Sequence, residues 1–154
     1  MITFDIQPYA GALPVRFGMS HSEVRALIPL TPKVVGHQQD DYFDKVRVGY
    51  EHDAVVELGF APGDCCLRFS GHWLWTPQQQ PDPLPYLLCL DSKPLESYGF
   101  LVFRELGITV TGYHDDDKNQ RAISCFVRGR WDKILPRCKQ PDLCRYLTGG
   151  SHVA

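Results

Sequence analysis

No apolar run in this sequence approaches the ~20 residues that a membrane-spanning helix needs. A helical span is therefore excluded. The opening stretch, MITFDIQPYAG, lacks a basic segment, an apolar segment and a small-residue cleavage site, so a cytoplasmic protein is expected. Six cysteines are present, at 65, 66, 89, 125, 138 and 144, but no two form a C-x-x-C pair. In a reducing compartment they read as thiols, and Cys89 and Cys125, inside apolar runs, read as core residues. Cys138, Cys144 and His152 match no common zinc spacing. Formal net charge is only -2, which gives no global case for direct nucleic-acid binding. The chain also lacks a P-loop, a G-x-G-x-x-G after a strand, an H-E-x-x-H helix and a G-x-S-x-G elbow. A nucleophile pair of Cys65 or Cys66 with His72 rests on sequence proximity alone. No cofactor, metal or catalytic residue is assigned, and the chain is expected not to be an enzyme.

What is present suits one globular domain over residues 1–154. The chain has 154 residues, 44% of them hydrophobic and 12% aromatic. A chain of that length buries enough surface to fold without disulfide or metal staples. Charge is unevenly placed. Between 40 and 64, seven acids (Asp40, Asp41, Asp44, Glu51, Asp53, Glu57, Asp64) face Lys45 and Arg47, a net of -5. Between 128 and 145, six bases face Asp132 and Asp142, a net of +4. Such runs are ordinary solvated surface or partner-facing surface.

Local patterns predict an α+β fold. Ser20 followed by Glu23 has the spacing of a capping box, and Val24, Leu27 and Ile28 follow at helical spacing up to Pro29. Residues 42–50 and 54–60 read as strands, and 65–75 as a third strand bending at Gly71. Four prolines within 76–85 lead into a short apolar helix starting near Pro83 or Pro85. Strands follow near 99–105, 108–114 and 121–132. The pattern is a helix and a three-strand meander, given twice, with internal halves 13–76 and 83–132. Gly59-Phe60 corresponds to Gly112-Tyr113, and Gly71-His72-Trp73 to Gly129-Arg130-Trp131, so Trp73 and Trp131 are expected to be structural. The predicted architecture is an antiparallel sheet of about six strands with two helices on one face.

The run His114-Asp115-Asp116-Asp117 is the most conspicuous cluster of polar groups. Calcium loops space their oxygens at alternate positions, with a glycine turn and a closing Glu, and neither follows here. The run reads as a loop between two strands, five residues longer than its counterpart. Its use, if any, is contact with a basic partner. Asp40, Asp41 and Asp44 are the other candidates for such contact. A small-ligand-binding or regulatory module, and metal-dependent hydrolysis through the His-Asp-Asp-Asp loop, are the alternative readings.

Two stretches carry a resemblance. LPVRFGMSHSEVRALI (13–28) and GFLVFRELGITVTGYHDDDKNQRAISCFVRGRWD (99–132) are similar to small cytosolic immunity proteins of bacterial toxin loci, including those of type VI secretion effector–immunity pairs. The resemblance implies a protein that neutralises a cognate toxin or effector by stoichiometric binding. The toxin could be a basic enzyme such as a nuclease. It implies no catalytic residues.

Overall fold

The chain folds as an α+β protein whose strands are divided between two sheets. The computed structural model describes residues 2–34, 40–63, 65–113 and 120–147. The first sheet contains β1 (Thr3–Gln7), β2 (Gly11–Leu13), β3 (Val15–Arg16), β8 (Cys66–Phe69) and β9 (His72–Trp75), in the order β3-β2-β1-β8-β9. Only β1 and β8 pair in parallel within it. The second sheet is antiparallel throughout. It contains β4 (Lys33–Val34), β5 (Asp41–Phe43), β6 (Val46–Glu51), β7 (Ala54–Phe60), β10 (Leu95–Ser97), β11 (Phe100–Phe103), β12 (Ile108–Thr111) and β13 (Ala122–Phe126). Its order is β10-β11-β12-β13-β7-β6-β5-β4. Helices α1 (His21–Leu27), α2 (Leu84–Leu90) and α3 (Leu143–Leu147) complete the described elements, with a 3-10 turn at Leu135–Arg137. No helix among the described residues is long and apolar enough to cross a membrane.

Helix α1 starts where the capping box placed it. The Ser20 hydroxyl accepts from the Glu23 amide at 3.2 Å, and the Glu23 carboxylate accepts from the Ser20 amide at 3.4 Å. It stops at Ile28, which is extended because Pro29 follows. Helix α2 begins at Leu84, whose amide donates to Asp82 at 3.0 Å.

The duplication takes a different register from the one the glycine motifs suggested. In the second sheet, α1-β4-β5-β6-β7 and α2-β10-β11-β12-β13 are each a helix and a four-strand meander, and they meet at the β7–β13 pair. Strand β7 therefore corresponds to β13, not to β12. Residues 65–75 lie in the other sheet, as a hairpin rather than one bent strand. Ser70 and Gly71 both have positive φ (47° and 85°), which is a tight turn and not a bend. Residues 42–50 are likewise split, because Asp44 (φ 58°) turns the chain between β5 and β6.

The inward face of the second sheet is a lattice of apolar pairs. Leu101, Val110, Ile123, Phe60 and Val46 lie side by side across five strands. The neighbouring row runs Phe103, Ile108, Cys125, Leu58, Val48 and ends at Asp41. The first sheet closes over this face, with Phe4 and Phe60 ring centroids 5.1 Å apart. Side chains from both sheets, together with Val24, Leu84 and Leu87 of the helices, form one continuous core.

The two matching tryptophans do not behave alike. Trp131 packs on Phe100 and Phe126. Trp73 is 49% exposed, with the Arg68 guanidinium 4.6 Å from its ring, and Trp75 is the buried one. Trp73→Ala should therefore cost about 1 kcal/mol or less in urea denaturation, the worth of an exposed cation–π pair. A loss above about 3 kcal/mol would mean a buried ring.

Candidate functional site: two clefts flanking the Asp44–Lys45 turn

The acidic stretch 40–64 is largely neutralised within the fold. Asp41 is fully buried and bound by Arg25 through two contacts, Nη2 to Oδ1 at 2.7 Å and Nε to Oδ2 at 3.1 Å. It also accepts from the Tyr50 hydroxyl at 3.1 Å. Asp40 pairs with Arg47 at 2.7 Å. Glu57 is held between Arg47 and Arg130, and Arg130 reaches Glu51 at 2.7 Å. Asp53 binds His21 at 2.5 Å, which lowers its carboxyl below the usual range. Five of the seven acids, Asp40, Asp41, Glu51, Asp53 and Glu57, thus have a basic partner of this chain. Asp41 is not available to a partner protein at all, which corrects its place among the contact candidates. Asp40 is half-buried and spoken for by Arg47. The residues His114, Asp115, Asp116 and Asp117 lie outside the described residues.

Asp44 has a different setting. It is exposed at the tip of the β5–β6 turn and lines a cleft of about 350 Å³. The walls are apolar: Ile2 and Phe4 from β1 and its approach, Pro29 and Leu30 after α1, Phe43 and Val46 flanking the turn, and Cys65. Leu30 is 44% exposed at its rim, and nearby Leu27, the last residue of α1, is 42% exposed. Burial pushes the Cys65 thiol up to about 11, with the Trp75 indole acting against it. At neutral pH it stays a thiol and an apolar wall.

Lys45 faces both ways. It lines this apolar cleft and a second, polar one of about 430 Å³. The second cleft is formed by Ala61 and Pro62 after β7, Trp75 at the end of β9, the 80–83 proline loop, Tyr113 after β12, and Arg121 at the start of β13. The Tyr113 hydroxyl donates to Asp82 at 2.5 Å, and burial together with that carboxylate raises its pKa well above the usual phenol value. The Arg121 guanidinium lies 4.3 Å from the Tyr113 ring centroid. Gly112 makes this corner: its φ is +87°, and a Cβ there would sit 2.6 Å from the Arg121 amide nitrogen. Tyr113 is also the last described residue before 114–119.

The cysteine–histidine pairing considered from sequence is not assembled. In the β8–β9 hairpin Phe69 faces His72, which places Cys66 three residues away, roughly 10 Å along the strand. His72 instead stacks on Tyr86, with centroids 3.8 Å apart. Cys89 is exposed on α2, not in the core as its apolar run suggested, whereas Cys125 is buried. Among the described residues no three His, Cys, Asp or Glu side chains gather as metal ligands would. Neither cleft has a local signature in the sequence, since the apolar one is assembled from four separated segments and the polar one from six. Compared with protein-family models, curated proteins and solved structures, the chain matches none.

Proposed function

We propose that this chain is an immunity protein that binds a cognate secreted bacterial toxin stoichiometrically and blocks it in the cytoplasm of the producing cell. The apolar cleft carries this reading. Tight protein interfaces centre on an apolar anchor that enters a pocket, surrounded by a polar rim that excludes water. The cleft bounded by Phe4, Leu30, Phe43 and Val46 has the form of such a pocket, and Asp44 and Lys45 supply a charged rim. In this reading the acids that steer a basic toxin are Asp44 and Asp115–Asp117, not the whole stretch from Asp40. Rim charges of that kind act mainly on the association rate.

The test begins with the genes flanking this one. Expression of a flanking gene's product should arrest growth, co-expression of this chain should restore it, and calorimetry should give a saturating stoichiometry. Leu30→Arg should weaken that complex by about 2 kcal/mol or more, roughly thirtyfold, as expected for a rim-to-pocket anchor. Its melting temperature should stay close to wild type, because Leu30 is already 44% exposed. If no flanking product is toxic or bound, the reading fails. Binding by Leu30→Arg at wild-type strength would move the interface elsewhere.

A further inference from the structure

We infer that the surface around Tyr9, Arg128 and Trp131 is a docking site for an acidic segment of a partner protein that carries one apolar side chain. This inference goes beyond the toxin reading and does not depend on it. The surface lies near the other end of the second sheet from the β5–β6 turn. A cleft of about 290 Å³ opens there. Its floor is Val102 of β11 and Phe126 of β13, both buried, on the face of the sheet that turns away from the shared core. Its walls are Tyr9, Trp131 and Leu135, with the exposed Arg104 and Arg128 at the rim. Tyr9 is fixed in place. Its hydroxyl donates to the Arg104 carbonyl, and its ring meets Phe126 edge-on with centroids 5.8 Å apart. Gly107 lies so close that a Cβ there would stand 3.2 Å from a ring carbon. The Arg128 guanidinium is 4.0 Å from the Tyr9 ring centroid. Trp131 is held by Phe100 and Phe126, and its carbonyl accepts from the Leu135 amide at 2.9 Å. A surface whose anchors are positioned before the partner arrives loses little freedom on binding.

The residues present select the partner. Tyr, Trp and Arg are the side chains that most often carry binding energy at protein interfaces. The apolar floor suits one aliphatic or aromatic side chain. Phe100 and Ile134, on either side of Trp131 in the chain, remain exposed and widen the apolar area. The surrounding turns are basic. Residues 128–139 contain Arg128, Arg130, Lys133, Arg137 and Lys139 against Asp132 alone. Arg130 is committed to Glu51 and Glu57. The other four, and Arg104, are exposed and have no ion-pair partner among the described residues. Asp132 lines the cleft and Glu105 acts on Tyr9, so the cleft is mixed in charge and the positive excess lies around it. The connection holding 114–119 joins β12 and β13 at Thr111 and Ala122, roughly 13 Å along the strand from Phe126. Asp64 likewise follows the Phe60 end of β7, which faces Ile123. Neither acidic segment attaches at the Phe126 end. A nucleic-acid backbone would set phosphate against Asp132, and aliphatic Val102 and Leu135 interrupt any stacking platform. An acidic peptide segment instead places carboxylates on Arg104 and Arg128, which can meet them with paired N–H groups, while its apolar residue enters between Tyr9 and Trp131.

The experiment is a titration of the whole chain followed by ¹⁵N NMR at constant ionic strength. The reporters are the Trp131 indole N–H and the amides of Arg104, Gly107, Gly129 and Leu135. The probes are the end-capped peptides Asp-Glu-Phe-Glu-Asp, Asp-Glu-Ala-Glu-Asp and Lys-Lys-Phe-Lys-Lys, and a thymidine decanucleotide. The acidic Phe peptide should shift these signals saturably and bind at least about tenfold tighter than any of the other three. Arg104→Gln and Arg128→Gln should each weaken it by about fivefold or more. Arg104 is exposed, and its replacement keeps the backbone carbonyl that Tyr9 binds. That variant should fold normally and keeps the test decisive if Arg128→Gln does not. Tighter binding of the decanucleotide would make this a nucleic-acid surface and overturn the inference. Equal binding by either control peptide, shifts that never saturate, or wild-type binding by Arg104→Gln would each overturn it as well.

Discussion

Arg25→Ala should remove about 3–5 kcal/mol of folding stability, the cost of leaving a buried charge without its partner. The expected fall in melting temperature is roughly 6–20 °C for a chain of this size. The cost belongs to Asp41, not to Arg25. The arginine side chain is 42% exposed and could satisfy itself in water. Asp41 is fully buried beside Val48, at the end of an apolar row, and among the described side chains the Tyr50 hydroxyl would remain to it. The same logic fixes the control. In an Arg25→Met/Asp41→Leu double variant the buried carboxylate is gone, and much of the loss should return. Urea denaturation of the two variants gives the comparison. A single Arg25→Ala variant within about 1 kcal/mol of wild type would show that water reaches Asp41.

That pair also marks what could be read from the sequence. The alternation Asp41-Tyr42-Phe43 places Asp41 on the same face as Phe43, so an inward aspartate was legible once β5 was recognised as a separate strand. Charge counted along the chain pointed the other way. It treated 40–64 as a negative surface, because a linear count cannot see Arg25 and Arg130 arriving from outside the window. The capping box at Ser20 and the strand at 54–60 were legible because each is specified within a few residues. The hairpins at Asp44 and Ser70-Gly71 were hidden inside strong apolar alternation, where a turn costs only one or two positive φ angles. Helix α2, LPYLLCL, is apolar all round, so its sequence could not say that Leu84 and Leu87 face inward while Cys89 and Leu90 do not. Residues 65–75 were legible as extended, but that they belong to a separate sheet was not. Its parallel pair joins Thr3 to Cys66 and Ile6 to Phe69, and nothing local to either strand names the other.

The same non-local assembly explains why the clefts had no signature. Lys45 looks like an ordinary turn residue, and Arg121 like the polar start of a strand. They line one cleft only because β7 and β13 lie side by side at the centre of the second sheet. Val46 and Ile123 are paired with the same residue, Phe60, from its two sides. Val46 then lines the apolar cleft and Ile123 the polar one.

Phe60→Ala should accordingly be the most damaging single change in the core, at about 3–5 kcal/mol. The ring is 1% exposed and meets Phe4 of the other sheet at 53°, so its removal leaves a void between the sheets. Leu58 and Val48 fill the next row of the same sheet. In denaturation the midpoint should fall with an unchanged slope, the behaviour of a cavity in an otherwise native core. Both clefts should respond as well, because Phe4 and Val46 form walls of one and Ile123 a wall of the other. Phe60→Leu, which keeps most of the volume, should lose less. A loss under about 1 kcal/mol for Phe60→Ala would mean that the two sheets do not share a core at this point.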